Sequence, residues 1–273
     1  MSGGDSPGAA SRVAGLYRWQ RDELELLDYC DPAELTLEVA DSWLVSEGLV
    51  LALDLHRSRF FSSIAARGFD PAIAEGFWDA AIAAIPTSGD WFPRVELVSL
   101  RGAPHLQFRL RSAPERSRSL VLATYHGDDP RTVPPIKGPD LASMLRIRTE
   151  VQALGADDAV LLSALGFVVE GAHTALFWWR GDILCTPAEE FERIDSVTGR
   201  SILALATALG VKLSYEAVTP EELEGLEVWA VNALHGIRIV VSWIDGPSTA
   251  EQPGRLARWR SLLDTLRKPV PSR

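Results

Sequence analysis

A stretch rich in proline, glycine and aspartate divides the chain into two unequal parts. Residues 127–140 read GDDPRTVPPIKGPD, and they carry no apolar period that would support a helix or a strand. Apolar segments typical of strands and helices lie on both sides of this stretch. With 273 residues, 47% of them hydrophobic, the chain is long enough to bury a core in each part. We therefore predict two globular domains joined by a linker.

The same pattern gives the domain boundaries. We predict a disordered tail over residues 1–14, because it is small, polar and contains glycine and proline. We predict a small α+β domain over 15–126, the linker over 127–138 and a larger domain over 139–273. In the small domain, Glu47–Gly48 lies between two alternating segments and predicts a hairpin, and Asp70 before Pro71 predicts the start of a helix. In the large domain, strands alternate with short turns and are bracketed by helices.

Charge and cysteine content exclude several classes of protein. A net charge of -10 and a pI near 5 argue against nucleic acid or an anionic membrane as partner, because either would require a basic face. Cys30 and Cys185 are isolated thiols without the spacing of a disulfide framework or a structural zinc site. The N-terminus lacks an export signal, and no apolar run is long enough to span a bilayer. We expect a protein of the reducing cytoplasm with a small-molecule partner.

Lys137 is an unusual residue in the linker. The chain has three lysines among its 27 basic residues, and Lys137 lies between prolines. An arginine stays protonated in any protein environment, whereas a desolvated lysine amine can lose its proton and attack a carbonyl. The alternative is an ordinary exposed loop lysine in a chain whose arginine bias reflects genome composition. The flanking sequence decides between the two.

Four segments follow one another from Lys137 onward in an order that resembles a known family. They are Lys137 itself, GADDAV at 155–160, GFVVE at 166–170 and Thr186–Pro187. They resemble the class IV aminotransferase family, the fold-type IV pyridoxal-phosphate enzymes, which includes branched-chain and D-amino-acid aminotransferases and aminodeoxychorismate lyase. The resemblance covers roughly residues 35 to 245. It implies an α+β fold with a small N-terminal α/β sandwich, a larger C-terminal mixed sheet or pseudo-barrel with helices, and a homodimer.

The resemblance also implies roles for individual residues. Lys137 would form the internal aldimine with pyridoxal 5′-phosphate and move a proton at the substrate Cα, and Glu170 would lie against the pyridine nitrogen. Arg59, matched from His56 in the segment HRSRF, would bind the cofactor phosphate, with Arg57 as its competitor. The rest of the cofactor site is expected from a turn before a helix and from a later turn, namely Ser196, Val197, Thr198 and Ala233.

Substrate recognition and reaction type are less constrained. Arg101 or Arg109 could hold a substrate carboxylate, or both could be surface arginines at a sheet edge, and Asn232 belongs to the later turn. The histidines show no metal-ligand spacing, so we expect no metal. The family's glycine-rich entry is replaced by residues 35–42, and Ala142 stands where many aminotransferases have a tyrosine. We expect an aminotransferase acting on an amino acid and a 2-oxo acid, with a 4-amino-4-deoxychorismate lyase and a non-catalytic homologue as alternatives.

Overall fold

The computed structural model describes residues 13–27 and 35–271. The larger part is built on an eight-stranded mixed sheet in the order β11-β10-β9-β16-β15-β12-β13-β14. Its strands are β9 (Ser119–Thr124), β10 (Asp158–Leu162), β11 (Val168–Gly171), β12 (Ala175–Arg180), β13 (Ile183–Pro187), β14 (Lys212–Glu216), β15 (Glu227–Asn232) and β16 (Gly236–Ile244). Residues 1–12 of the predicted tail and Cys30 lie outside the described residues.

The smaller part has a five-stranded antiparallel sheet in the order β2-β1-β8-β7-β3. Its strands are β1 (Gly15–Gln20), β2 (Glu23–Leu26), β3 (Thr36–Ser42), β7 (Arg94–Leu100) and β8 (Ala103–Leu110). A third sheet of short strands follows the order β17-β5-β4-β6. These strands are β4 (Val45–Ser46), β5 (Leu49–Leu51), β6 (Asp90–Trp91) and β17 (Arg267–Pro269). The hairpin predicted at Glu47–Gly48 joins β4 to β5.

Five α-helices pack on these sheets in the described ranges. They are α1 (Leu53–Ala66), α2 (Glu75–Ala83), α3 (Leu141–Gln152), α4 (Val197–Ala208) and α5 (Arg255–Asp264). The helix predicted to start at Asp70 begins with a 3-10 turn, Pro71–Ala74, whose cap Asp70 accepts a hydrogen bond from the Ala72 amide before α2 starts. None of the described helices has the length and apolar character needed to cross a membrane.

The large sheet is buried on both faces, which explains the continuous apolar runs of its strands. On β12, Phe177 and Trp179 contact one hydrophobic cluster, with helices α4 and α5, while Leu176 and Trp178 contact another on the opposite face. The small domain has its own core between its five-stranded sheet and helices α1 and α2. Two separate cores therefore lie on either side of the linker.

Strand pairing differs from the predicted boundaries at two places. Strand β9 lies between β10 and β16 and runs parallel to both, so residues 119–124 belong to the large sheet although we predicted the small domain to extend to 126. Strand β17 pairs with β5, so the end of the chain returns to the N-terminal part. Both pairings join segments far apart in sequence, and a local apolar pattern predicts that a strand exists without indicating its neighbour.

Candidate active site

The linker is held against the free edge of the small sheet. The amide of Ala40 on β3 donates to the carbonyl of Lys137 at 2.7 Å. Gly138 has φ +149°, and a Cβ there would lie 2.8 Å from the Cα of Val39. Asp140 closes the loop on itself, because its carboxylate accepts from the Thr132 amide and hydroxyl and from the Val133 amide. The backbone around Lys137 is therefore fixed on both sides.

The amine of Lys137 has a pKa lowered from 10.5 to about 8. Burial is the largest cause, followed by the positive charge of Arg59, while the carboxylate of Asp41 opposes both. Arg94 and Arg111 lower the pKa further. A sizeable fraction of the Lys137 amine is consequently neutral and nucleophilic slightly above neutral pH.

Arg59 on α1 is fixed by a buried carboxylate. Asp41 on β3 is fully buried and accepts from Arg59 Nε and Nη2, each at 2.8 Å, and its Oδ1 lies 2.8 Å from His56 Nδ1. Burial opposes ionisation of Asp41, but Arg59 and His56 hold the pKa of this carboxyl well below its usual range. Arg59 Nη1 donates to the carbonyl of Asp195 at 2.8 Å. Two of the five guanidinium hydrogens therefore remain for another acceptor.

The N-terminus of α4 lies beside Arg59. Ser196 caps this helix by accepting a hydrogen bond from the Gly199 amide at 3.1 Å, and Val197 and Thr198 form its buried first turn. The first amides of a helix have no partners within the helix and carry a partial positive charge. Together with Arg59 they make this side of the cavity suited to an anion such as a phosphate.

Glu170, near the end of β11, lines the same cavity. It is 5% exposed, forms an ion pair with Arg131 from the linker, and accepts a 3.4 Å hydrogen bond from the Ile194 amide. Burial raises the pKa of Glu170 from 4.5 to about 7, and Arg131 limits the rise. Arg131 also pairs with Asp129 at 2.7 Å.

A turn after β15 completes the cavity wall. The side-chain oxygen of Asn232 accepts from the amides of Leu234 and His235, at 3.2 and 2.9 Å, and its amide nitrogen donates to the carbonyl of His173 at 3.3 Å. Asn232 thus connects its own turn to the turn between β11 and β12.

The structure brings most of the predicted site residues to one cavity. Its lining includes Arg59, Lys137, Glu170, Ser196, Val197, Thr198, Asn232 and Ala233. Arg101 and Arg109 are not among the lining residues. Arg101 lies at the exposed turn between β7 and β8 with φ +50°, and Arg109 lies on β8 with Nη2 3.8 Å from Glu96. The competitor Arg57 pairs with Glu75 away from the cavity.

Sequence reasoning missed three participants, namely Asp41, His56 as its partner, and Arg131. The local sequence carries no signal for the Asp41–Arg59 or Arg131–Glu170 pairs, because their members are 18 and 39 residues apart. Arg131 lies within the linker that we singled out, so proximity to Lys137 was the available signal. No group of three or more His, Cys, Asp or Glu residues that could hold a metal ion occurs in the described part of the chain.

Comparison with known proteins decides the family. Residues 38–243 match the amino-transferase class IV family. The chain belongs to this family. The resemblance found in its motifs is thereby confirmed, and the match covers most of the small domain, the linker and most of the large domain.

Similar proteins agree with this assignment. Over 78 residues the chain is 33% identical to the "Probable branched-chain-amino-acid aminotransferase" of Rickettsia bellii, which covers 28% of this chain and 26% of that protein. The branched-chain amino acid aminotransferase from Escherichia coli superimposes with a TM-score of 0.78 at 15% identity, covering 93% of this chain and 94% of the other. A hypothetical aminotransferase from Mycobacterium tuberculosis in its PLP-bound form gives a TM-score of 0.74 at 17% identity, covering 92% and 98%.

These similarities confirm the predicted fold class. The two-domain α+β architecture with a large curled mixed sheet is that of the fold-type IV transaminases. The segment matched in the curated relative is about a quarter of that protein's length, 26%.

Proposed function

We propose that the chain is a pyridoxal-phosphate-dependent aminotransferase acting on an amino acid and a 2-oxo acid. The observation that carries the proposal is Lys137, whose amine has a pKa of about 8 and lines the same cavity as Glu170 and the N-terminus of α4. An amine of lowered pKa, a buried carboxylate and an anion cradle are the groups that this cofactor requires. The residues present therefore fit pyridoxal phosphate.

Different residues of the chain would perform different parts of the reaction. When bound, pyridoxal phosphate supplies an electron sink for the bond that breaks at the substrate Cα. Lys137 Nζ would hold the cofactor until the amine of the substrate replaces it, and the freed amine would then carry a proton from the substrate Cα to the cofactor. An acid–base group works best when its pKa is near the operating pH, and about 8 meets this condition.

Glu170 would hold a proton at the pyridine nitrogen. A positive ring nitrogen next to this carboxyl would favour its ionised form, so the raised pKa of about 7 would fall on binding. Arg131 orients the carboxylate through its ion pair with Glu170. The remaining hydrogens of Arg59 and the first amides of α4 would bind the phosphate.

A cationic face of the small sheet supports a carboxylate-bearing substrate. Arg94 and Arg109 are directly paired on β7 and β8, and both contact the buried carboxylate of Glu96. Arg111 follows on the same face, and its pKa is lowered by burial and by the two other arginines. Two guanidinium groups thus pair with one carboxylate, and Arg111 adds a third positive charge nearby. Because Arg94 and Arg111 also lower the pKa of Lys137, this surplus of positive charge acts at the reacting amine.

An absorbance spectrum tests the proposal. Protein loaded with pyridoxal phosphate is expected to show a visible band that borohydride converts into a stable adduct, and mass spectrometry should locate the adduct on Lys137. Lys137→Ala should lose both, whereas Lys212→Ala, which removes an exposed lysine of β14, should keep both. A band retained in Lys137→Ala, or an adduct on Lys212, would contradict the assignment.

Turnover assays distinguish the aminotransferase from the lyase and from the non-catalytic homologue. Transfer of an amino group from an amino acid to 2-oxoglutarate would support the aminotransferase. Release of 4-aminobenzoate from 4-amino-4-deoxychorismate would support the lyase, whose late turn resembles Asn232-Ala233-Leu234. A cofactor adduct without turnover of any amino acid would favour the non-catalytic homologue. The homodimer and the cytoplasmic location stay predictions.

A further inference from the structure

His173 is a polar residue of the active-site cavity with no part in the reaction described so far. It lines the same cavity as Lys137 and Glu170. It lies in the tight turn between β11 and β12, and 27% of its side chain is exposed. A histidine can donate or accept a hydrogen bond and can carry a positive charge, so its place in this wall has chemical consequences.

The backbone of His173 is fixed on both sides. Its amide donates to Asp158 Oδ2 at 3.2 Å. Its carbonyl accepts from the side-chain amide of Asn232 at 3.3 Å. The turn itself closes through the Gly171 amide, which donates to the Thr174 carbonyl at 2.7 Å. The ring is therefore carried by a well-anchored main chain.

One edge of the His173 ring faces a buried carboxylate. Nδ1 lies 3.7 Å from Asp158 Oδ1, within ion-pair distance, and it is buried without a hydrogen bond. Asp158 is 1% exposed. In the part of the chain that the structure describes, this ring is the one basic group within ion-pair distance of Asp158. Because a buried carboxylate is costly without a partner, Asp158 favours a proton on Nδ1.

Asp158 has acceptor capacity left for that proton. Its Oδ2 accepts from the Thr174 hydroxyl at 2.8 Å and from the His173 amide. Its Oδ1, the atom that faces the ring, accepts from the Ala159 amide at 3.1 Å. A carboxylate oxygen can accept two hydrogen bonds, so Oδ1 can also accept from Nδ1 after a small rotation of the ring.

The other nitrogen of the ring is available to a ligand. Nε2 makes no hydrogen bond with any residue that the structure describes, and unlike Nδ1 it is not closed off from solvent. The hydrogen bond at one ring nitrogen determines what the other can do. With Nδ1 directed at Asp158, the free Nε2 is the polar atom that His173 offers to the cavity.

We propose that His173 binds a carboxylate group of the substrate through Nε2, with Asp158 as its positioning residue. When both ring nitrogens carry a proton, Nδ1 donates to Asp158 and Nε2 donates to the substrate in a charge-assisted hydrogen bond. The group bound is either the carboxylate that every amino acid and 2-oxo acid carries or the second carboxylate of a dicarboxylic acid. This inference rests on the proposed function, because it takes the substrate to be such an acid.

Binding of unreactive acids tests the role of the ring. Glutarate and 4-methylpentanoate, which lack the amino and oxo groups, are titrated by calorimetry into protein loaded with pyridoxal phosphate. His173→Gln keeps a polar side chain but cannot carry a charge, so the glutarate affinity should fall about tenfold. An equal loss for 4-methylpentanoate identifies the carboxylate that all substrates share, and a smaller loss identifies the second carboxylate. An unchanged glutarate affinity overturns the proposal.

His126→Gln is the matched control for this titration. His126 also faces a carboxylate, Asp245 at 3.3 Å, but its side chain is 69% exposed and it does not line the cavity. This variant should bind glutarate as the wild type does. A loss equal to that of His173→Gln would show that the effect is not specific to the cavity and would contradict the proposal.

Asp158→Asn distinguishes the proposed role from simple electrostatics, because the two predict opposite signs. Removal of a negative charge beside the cavity wall should strengthen the binding of an anion if His173 takes no part. If the His173 ring needs this charge to hold its second proton, glutarate binding should instead weaken about tenfold. In the His173→Gln background, Asp158→Asn should cause no further loss. Equal or tighter binding of glutarate by Asp158→Asn overturns the proposal.

Steady-state kinetics separate binding from proton transfer. His173→Gln should raise the KM for 2-oxoglutarate about tenfold and change kcat less than about twofold, because the ring holds the substrate while Lys137 moves the proton. A loss confined to kcat would contradict a binding role. If no amino acid is turned over, the proposed function fails, whereas the glutarate titrations still decide the role of His173.

NMR of the wild type covers variants that do not fold. The chain has five histidines, so the ring nitrogen signals of His173 can be assigned. Without added acid the proton should lie on Nδ1, and glutarate should shift the Nε2 signal toward that of a protonated nitrogen while His126 stays unchanged. If the protein binds no pyridoxal phosphate, the same titration is made on the cofactor-free protein. An Nε2 signal that does not respond to glutarate overturns the proposal.

Discussion

The amine of Lys137 lies among charges of both signs, and their balance sets its chemistry. Burial and Arg59 lower its pKa, Asp41 raises it, and the result is about 8. Attachment of a cofactor aldehyde needs the neutral amine, so we predict that the attachment rate of pyridoxal phosphate rises with pH and levels off above about 8. Stopped-flow absorbance between pH 6 and pH 10 measures it.

Lys137→Arg is the matched control for this profile. It keeps the positive charge but stays protonated, so no attachment is expected at any pH. A wild-type profile that keeps rising to the ordinary lysine value of 10.5 would show that the amine is not desolvated.

Glu170 makes the stability of the cofactor-free protein depend on pH. Its pKa is raised from 4.5 to about 7, so the folded state binds more protons than the unfolded state between these values. The free energy of unfolding of the wild type should therefore fall as pH rises through this window. The Glu170→Gln variant has no ionisable group at this position, so its free energy of unfolding should not fall in this window. At pH 8 we expect the variant to be more stable than the wild type by about 3 kcal/mol.

Denaturant unfolding at several pH values measures this difference. It should disappear near pH 4, where both side chains are uncharged. Glu190→Gln, which changes an exposed carboxylate, should follow the wild type throughout. An advantage for Glu170→Gln that is the same at pH 4 and pH 8 would refute the titration argument.

Which residues could be foreseen depends on whether their partners are local. Residue type and motif spacing singled out Lys137 and Glu170, which the fold brings to one cavity, and their roles stay predictions. Asp41 and Arg131 were not, because each acts through an ion pair with a distant segment. For Arg101 the sequence left two alternatives open, and its hairpin places this Arg-Gly pair at an exposed turn and not among the residues that line the cavity.

Among the elements, the linker depends on one close backbone approach. Gly138 has φ +149°, and a Cβ there would lie 2.8 to 3.0 Å from the backbone of Val39. Backbone atoms of β3 cannot move aside as a flexible side chain can. We predict that Gly138→Ala lowers the free energy of unfolding by about 3 kcal/mol and reduces cofactor attachment at Lys137.

Gly181→Ala is the control for Gly138→Ala. It also has positive φ, +62°, but nothing lies within 4 Å of its Cβ position. It should cost about 1 kcal/mol and leave attachment unchanged. Equal losses for the two variants would show that the contact with β3 is unimportant.

Helices, strands and turns could be predicted where the residues that determine them are close together in the sequence. The hairpin at Glu47–Gly48 and the Asp70 cap follow from turn and capping chemistry. The partners of β9 were not predictable, because Ser119 pairs with Ile239, and nothing in either segment encodes a neighbour that far along the chain. For this reason the predicted end of the small domain, at residue 126, differs from the strand pairing, which places residues 119–124 in the large sheet.

For the molecule as a whole, Asp41 links the two domains through Arg59. Asp41 is fully buried in the small domain, and Arg59 reaches from it to the Asp195 carbonyl before α4. Asp41→Asn keeps the shape but removes the charge, and leaves Arg59 buried with an uncompensated charge. We expect the free energy of unfolding of the cofactor-free protein to fall by about 3–5 kcal/mol.

This loss should depend on pH in a defined direction. The pKa of Asp41 lies below its ordinary value of 3.8, so its contribution is complete above that value and is lost as pH falls toward the lowered pKa. Chemical unfolding at pH 7 and at pH 3 measures it, with Asp54→Asn in the first turn of α1 as an exposed control.

The double variant Asp41→Asn with Arg59→Met shows whether the charge is the cause. Removing both members of a buried ion pair is far less costly than removing one, so the double variant should recover most of the stability lost by Asp41→Asn. It should not recover affinity for pyridoxal phosphate, because Arg59 is also proposed to bind the phosphate. Losses that simply add would show that Asp41 stabilises the protein through His56 and packing, and that the two domains are not joined by this ion pair.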